Sequence, residues 1–169
     1  YFYTLLAALV VIVAIFLTPL RHKVWVATAT IAATAIAALT FVVKAFSGDA
    51  VTIASFSTPM FGTESFVVDK LSSLFLLIIS VAAMATVLYS RGYVAGYMKR
   101  FSPAHFSLHY TALVLLVVSM MFVVMSSGGF SFLFSWELMT IASFILILFE
   151  ADRQDVRRAA LNYLVMMHI

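Results

Sequence analysis

The sequence contains no cysteine and very little charge. Without cysteine there is no disulfide, no thiolate metal site and no iron–sulfur ligation, so any redox chemistry must belong to a partner and no cofactor is expected in this chain. Charged residues make up only 10% of 169 residues, against 64% hydrophobic ones. With a mean hydropathy of +1.13, that is too apolar for a water-soluble domain of this length and places the chain in a bilayer. Nucleic-acid binding is excluded as well. Despite a formal charge of +3, the ten Lys and Arg stand in short clusters between apolar runs, where they anchor helices to the membrane surface. The first apolar run also lacks a preceding basic stretch and is too long for a signal-peptide core, so it reads as a spanning helix. The chain opens at Tyr1 without a methionine and stops at Ile169 inside an apolar run. It is expected to be a fragment of a longer protein.

What is present is a set of runs near the roughly 20 residues needed to cross the hydrocarbon core. Five qualify: Phe2 to Leu20, Val24 to Val43, Val67 to Tyr89, Phe106 to Ser126 and Phe130 to Phe149, with a sixth truncated run over 159–169. The expected fold is therefore an all-α membrane protein, a single transmembrane domain of five helices plus the start of a sixth. The breaks are Arg21-His22-Lys23, the polar stretch from Lys44 to Glu64, Arg91 to Arg100, Gly128-Gly129, and Glu150 to Arg158. Ser102-Pro103 reads as an N-cap followed by proline at the first helical position. Ala- and Thr-rich Ala27 to Thr40 suits close helix packing. Val51 to Ser57 and Ser65 to Val68, separated by a turn near Pro59 and Gly62, predict a small outer β-hairpin between helices two and three.

Eight of the ten Lys and Arg fall in loops one, three and five (Arg21, Lys23, Arg91, Lys99, Arg100, Arg153, Arg157, Arg158), against Lys44 and Lys70 on the other side. These loops are expected in the cytoplasm, with the N-terminus and hairpin outside, in a bacterial or archaeal inner membrane.

Away from their ends, the five complete runs hold one ionisable residue, Glu137, within Phe-Ser-Trp-Glu-Leu-Met. A carboxylate there costs roughly 2.5 kcal/mol or more to insert, so such residues face a bundle interior and mark ion or proton routes. The competing reading is a protonated Glu137 that only hydrogen-bonds a neighbouring helix. Thr140, three residues on, is its nearest polar companion on that face. Glu137 lies roughly 18 Å from Phe149 along its helix, and His168 roughly 15 Å from Arg158 along the next. The two share a depth, and a carboxylate beside an imidazole is a proton relay. A His168 turned toward another neighbour is the alternative. Asp69 and Lys70 open the third run, where helix-end charges are the simplest reading. His105 and His109 stand at i, i+4, but without a third ligand an interfacial role outweighs a metal. The run from Glu150 to Arg158 reads as a solvated loop.

The stretch Phe132-Leu-Phe-Ser-Trp-Glu-Leu-Met139, with Phe149-Glu-Ala-Asp, Val156-Arg-Arg-Ala159 and Tyr163-Leu-Val-Met-Met-His-Ile169, resembles the antiporter-like proton-conducting subunits shared by respiratory complex I, cation/proton antiporters and membrane-bound hydrogenases. It is most similar to the large membrane subunit of the formate-hydrogenlyase and hydrogenase-four type. Val68-Asp-Lys-Leu-Ser72 and Leu88-Tyr-Ser-Arg-Gly-Tyr93 resemble that family's third helix and following loop, while the first fifty residues match only in hydropathy. The resemblance implies that Glu137 works in a chain of buried polar residues coupled to a lysine on a later broken helix, and that an outer hairpin joins helices two and three. It also implies other membrane subunits as partners, protons as the transported ion and a redox-driven complex. The alternatives are a cation/proton antiporter or inorganic-carbon uptake subunit without redox coupling, and a non-conducting scaffold.

Overall fold

The computed structural model describes Ile15 and residues 18–48, 50–97 and 100–168. Helix α1 (Leu20–Ser47) is followed by strands β1 (Val51–Thr58) and β2 (Gly62–Val68). Then come α2 (Lys70–Ala95), α3 (Pro103–Met125), α4 (Gly129–Ile147), a 3-10 turn (Leu148–Glu150) and α5 (Gln154–His168). Four stretches are long and apolar enough to cross a membrane: His22–Ser47, Lys70–Ala95, Pro103–Met125 and Gly129–Glu150. The chain is an integral membrane protein.

The expected count of five spans is thus reduced to four among the described residues. The run Phe2 to Leu20 lies outside them, apart from Ile15 and its last three positions. The expected break at Arg21-His22-Lys23 is absent, because the helix starts just after Pro19 and carries that trio in its first turn. α2 likewise runs through Arg91 to Ala95. α5 begins at Gln154 rather than Ala159, since the polar Gln154 to Arg158 run is itself helical and Asp155 in the first turn suits the helix dipole.

Two helix starts are capped by their own side chains. Ser102 caps α3, its hydroxyl accepting from the His105 N–H, with Pro103 at a position that has no helical partner to lose. Asp69 caps α2, its carboxylate accepting from the Ser72 N–H at 2.7 Å. That bond holds the Asp69 carboxyl below its ordinary value.

Along α1, Ala27, Ile31, Ala35, Ala38, Val42 and Ala45 are all buried. Their spacing of three and four residues puts them on one face, and small side chains there let α2 and α3 approach. The core is completed by Leu76, Val87, Phe106, Tyr110 and Leu113 from α2 and α3.

The strands pair antiparallel from Val51↔Val68 to Thr58↔Gly62, with an irregularity between Thr52 and Ala54. They extend further toward the turn than expected, and Gly62, at φ 75°, takes the left-handed conformation that closes it. The hairpin docks on the α3–α4 connection. Ser127 N–H donates to Ser65 O at 2.9 Å, Phe66 meets Phe122 edge-on at 5.1 Å, and Phe61 stacks on Phe130 at 4.5 Å.

Candidate functional site

α4 has two polar faces. Ser131, Ser135, Ala142 and Phe149 are buried at spacings of four and seven that put them on one face, toward α3. Here His105 Nε2 meets the Phe149 carbonyl at 2.7 Å. Roughly opposite lie Glu137 and Ser143, which meet α5.

His168 Nε2 stands 2.8 Å from Glu137 Oε2, so the structure brings these two residues into direct contact. The same imidazole places Nδ1 2.7 Å from the Leu164 carbonyl. A carbonyl can only accept, so Nδ1 carries a hydrogen. In the neutral ring Nε2 is then bare, and the Nε2 to Oε2 contact needs one proton, either on Glu137 as a carboxylic acid or on His168 as an imidazolium. The pair is a one-proton unit whose two forms differ only in where that proton sits.

One and a half turns farther along α4, the Ser143 and Tyr163 hydroxyls meet at 2.5 Å, a second polar tie to α5 that sequence patterning does not single out. Thr140 does not join either contact. It is fully buried and its hydroxyl is spent on the Trp136 carbonyl at 3.0 Å of its own helix, so its proximity in sequence does not make it a partner of Glu137. Nor is Glu137 sealed in the bundle interior. Half of its side chain is exposed, and its one hydrogen-bond partner on α5 is His168 in that helix's last turn.

Asp69 and Lys70 lie far along the chain's other elements, Asp69 as the α2 cap and Lys70 exposed at its first residue. His105 and His109 line a cavity of about 80 Å³ with Leu108, Ile145, Leu148 and Phe149. His105 stacks on Phe101 at 4.4 Å, and the ring nitrogens of His109 are buried without a hydrogen-bond partner among the described residues. No cluster of three or more metal-ligating side chains occurs among the described residues. The Glu150 to Arg158 run is tied down rather than free. Tyr97 donates to Glu150, which pushes the Tyr97 hydroxyl's pKa up; Arg100 pairs with Asp152, and Arg153 bridges Asp155 at 2.7 Å and Glu150 at 3.4 Å.

Two charged residues carry roles that their sequence setting hides. Lys23, expected as a loop anchor, is buried, its ammonium donating to Ile15 O at 2.8 Å and Ser107 Oγ at 2.7 Å. The Thr18-Pro19 pair before it is the only hint that it belongs to a helix. Glu64, expected in a polar loop, is also buried and accepts from Ser131 Oγ at 2.7 Å and Ser131 N at 3.0 Å. α4's own cap position, Gly128, has no side chain, so a strand residue supplies the missing acceptor and an anion for the positive end of the helix. A Cβ on Gly128 would stand 1.9 Å from Glu64 Oε2. These bonds, the Ser131 hydroxyl's first, hold the Glu64 carboxyl below its ordinary value. The clasp anchors the helix about 9 Å of rise before Glu137.

Comparison with known proteins supplies a partial likeness. Over 78 residues, 46% of this chain, it is 36% identical to NADH-ubiquinone oxidoreductase chain 5 of Ascaris suum. A stretch of the same length is 42% identical to an uncharacterized protein of Mycobacterium tuberculosis. The matched stretch is only 13% and 12% of those proteins, so the chain spans a small part of the relatives it matches. No protein-family model matches it. The chain is thus a membrane protein with a local similarity to NADH-ubiquinone oxidoreductase chain 5.

Proposed function

We propose that this chain is part of a proton-translocating membrane subunit of the antiporter-like kind, working in a redox-driven complex of hydrogenase or NADH/quinone oxidoreductase type. The observation that carries the reading is the Glu137–His168 contact, in which one proton joins a carboxylate on the membrane helix α4 to an imidazole on α5. An ionisable pair in such a setting has no packing role that Gln or Leu would not fill at lower cost, and it is the element needed to receive and release a proton. The likeness to NADH-ubiquinone oxidoreductase chain 5 favours a respiratory setting. On this reading Glu137 and His168 exchange the proton and other membrane subunits supply the energy. Thr140, whose hydroxyl is held on the Trp136 carbonyl, stands beside the pair without a contact to it. The arginine-rich end with Arg91, Arg100, Arg153, Arg157 and Arg158 faces the cytoplasm and the hairpin faces out.

The test is the cycle of Glu137→Gln, His168→Gln and the double variant in the full-length assembly, reading proton transport against pH. Glu137→Gln should stop transport while the partner's redox chemistry runs uncoupled, and His168→Gln should shift the pH profile only while Glu137 is present. Strictly independent effects of the two substitutions would remove the relay.

A further inference from the structure

At the arginine-rich end of the bundle, the guanidinium of Arg91 in α2 lies over the ring of Trp25 in α1, 4.2 Å from the centroid. Both side chains are exposed, Trp25 by 54%. Arg100 and Arg153 at the same end are each bound to carboxylates, whereas Arg91 has none within 4.0 Å among the described residues. A guanidinium whose carbon sits over an aromatic ring and that is itself exposed still has N–H groups to donate, in the fork that fits two oxygens of one phosphate.

Depth selects the source of that phosphate. From Lys70 to Arg91 the rise along α2 is about 32 Å, and from Trp25 to Lys44 along α1 about 29 Å. Each matches a hydrocarbon core of roughly 30 Å. Lys44 and Lys70 therefore mark one interface, and Trp25 and Arg91 the other, at headgroup level. Tyr89, 74% exposed, and Tyr93 stack at 6.4 Å on either side of Arg91 in sequence, as aromatic residues do in an interfacial belt. We infer that the Arg91–Trp25 corner between α1 and α2 binds the phosphate of an anionic phospholipid. Trp25 holds the guanidinium in place, and the net negative charge of the lipid complements a cation that no carboxylate among the described residues neutralises. The inference rests on the chain's membrane placement and is independent of proton transport.

The probe is the full-length protein in phosphatidylcholine nanodiscs doped with dibrominated phosphatidylglycerol or dibrominated phosphatidylcholine. Quenching assigned to Trp25 is the difference between the parent protein and Trp25→Phe. The anionic lipid should be preferred about fivefold at Trp25, Arg91→Gln should erase the preference, and Arg157→Gln should leave it. If Arg91→Gln does not fold, Arg91→Lys, which keeps the charge and loses the fork, should weaken the preference. Equal quenching by the two lipids, or a preference that survives loss of the guanidinium, overturns the site. Added inorganic phosphate should not displace the lipid; if it does, the corner takes free anions and the lipid assignment fails.

Discussion

The two faces of α4 solve opposite problems with similar residues. Toward α3, Ser131 and Ser135 are sealed from solvent. Each hydroxyl is satisfied, Ser131 on Glu64 and Ser135 on the Ser131 carbonyl at 2.8 Å, so this face is polar and chemically quiet. Toward α5, Glu137 and His168 remain half open and share one proton. Polarity inside a membrane bundle is therefore no guide to function by itself. What separates the faces is whether a proton can pass from one partner to the other with the contact kept, which the serines do not offer and the acid–imidazole pair does.

The largest expected contrast is in transport. Glu137→Gln should abolish it, while Ser135→Ala, which removes only a bond to the residue's own helix, should leave the rate within about twofold and cost no more than about 1 kcal/mol. A Ser135→Ala variant as defective as Glu137→Gln would merge the two faces into one route, and a proton-flux assay in liposomes makes the comparison.

Next in size is packing on the α3 side. Phe149 is buried and its ring meets His109 at 4.7 Å and His105 at 5.0 Å. Phe149→Ala should cost about 3 to 5 kcal/mol, seen as a lower midpoint in thermal unfolding in detergent. By contrast Tyr163→Phe on the α5 side, which removes only the hydroxyl bonded to Ser143, should cost about 1 kcal/mol.

The clasp at the start of α4 adds a pH dependence. Because the Glu64 carboxyl sits below its ordinary value of 4.5, its contribution to stability is fully present above that value. It is lost as pH falls through the lowered folded-state value. Gly128→Ala, whose new methyl would occupy the carboxylate's place, should flatten this acid limb of the stability curve and lower the thermal midpoint at neutral pH. An unchanged acid limb in Gly128→Ala would show that Glu64 is not the titrating group.

Much of this was legible in the sequence because the signals were local. Hydropathy located the four described membrane helices with ends off by one to six residues, and Ser102-Pro103 announced the α3 start through the requirements of a helix N-terminus alone. Glu137 stood out because a charge inside an apolar run is expensive wherever the run ends up. Lys23 and Glu64 were hidden for the converse reason. Each lies in a polar stretch where charge is cheap, and only the partners, Ser107 84 residues away and Ser131 67 residues away, turn them into buried groups.

The sequence by itself determined that this chain lives in a bilayer, where its four described apolar helices run and which carboxylate sits midway along one of them. Those properties follow from the hydrocarbon's intolerance of polar groups and from helix rise, which are one-dimensional constraints. Helix rotation is not such a constraint. The tertiary structure decided that His168 aims Nε2 at Glu137, that Thr140 turns back on its own backbone, and that Glu64 caps a helix it does not belong to, because azimuth is fixed only by what packs against each face.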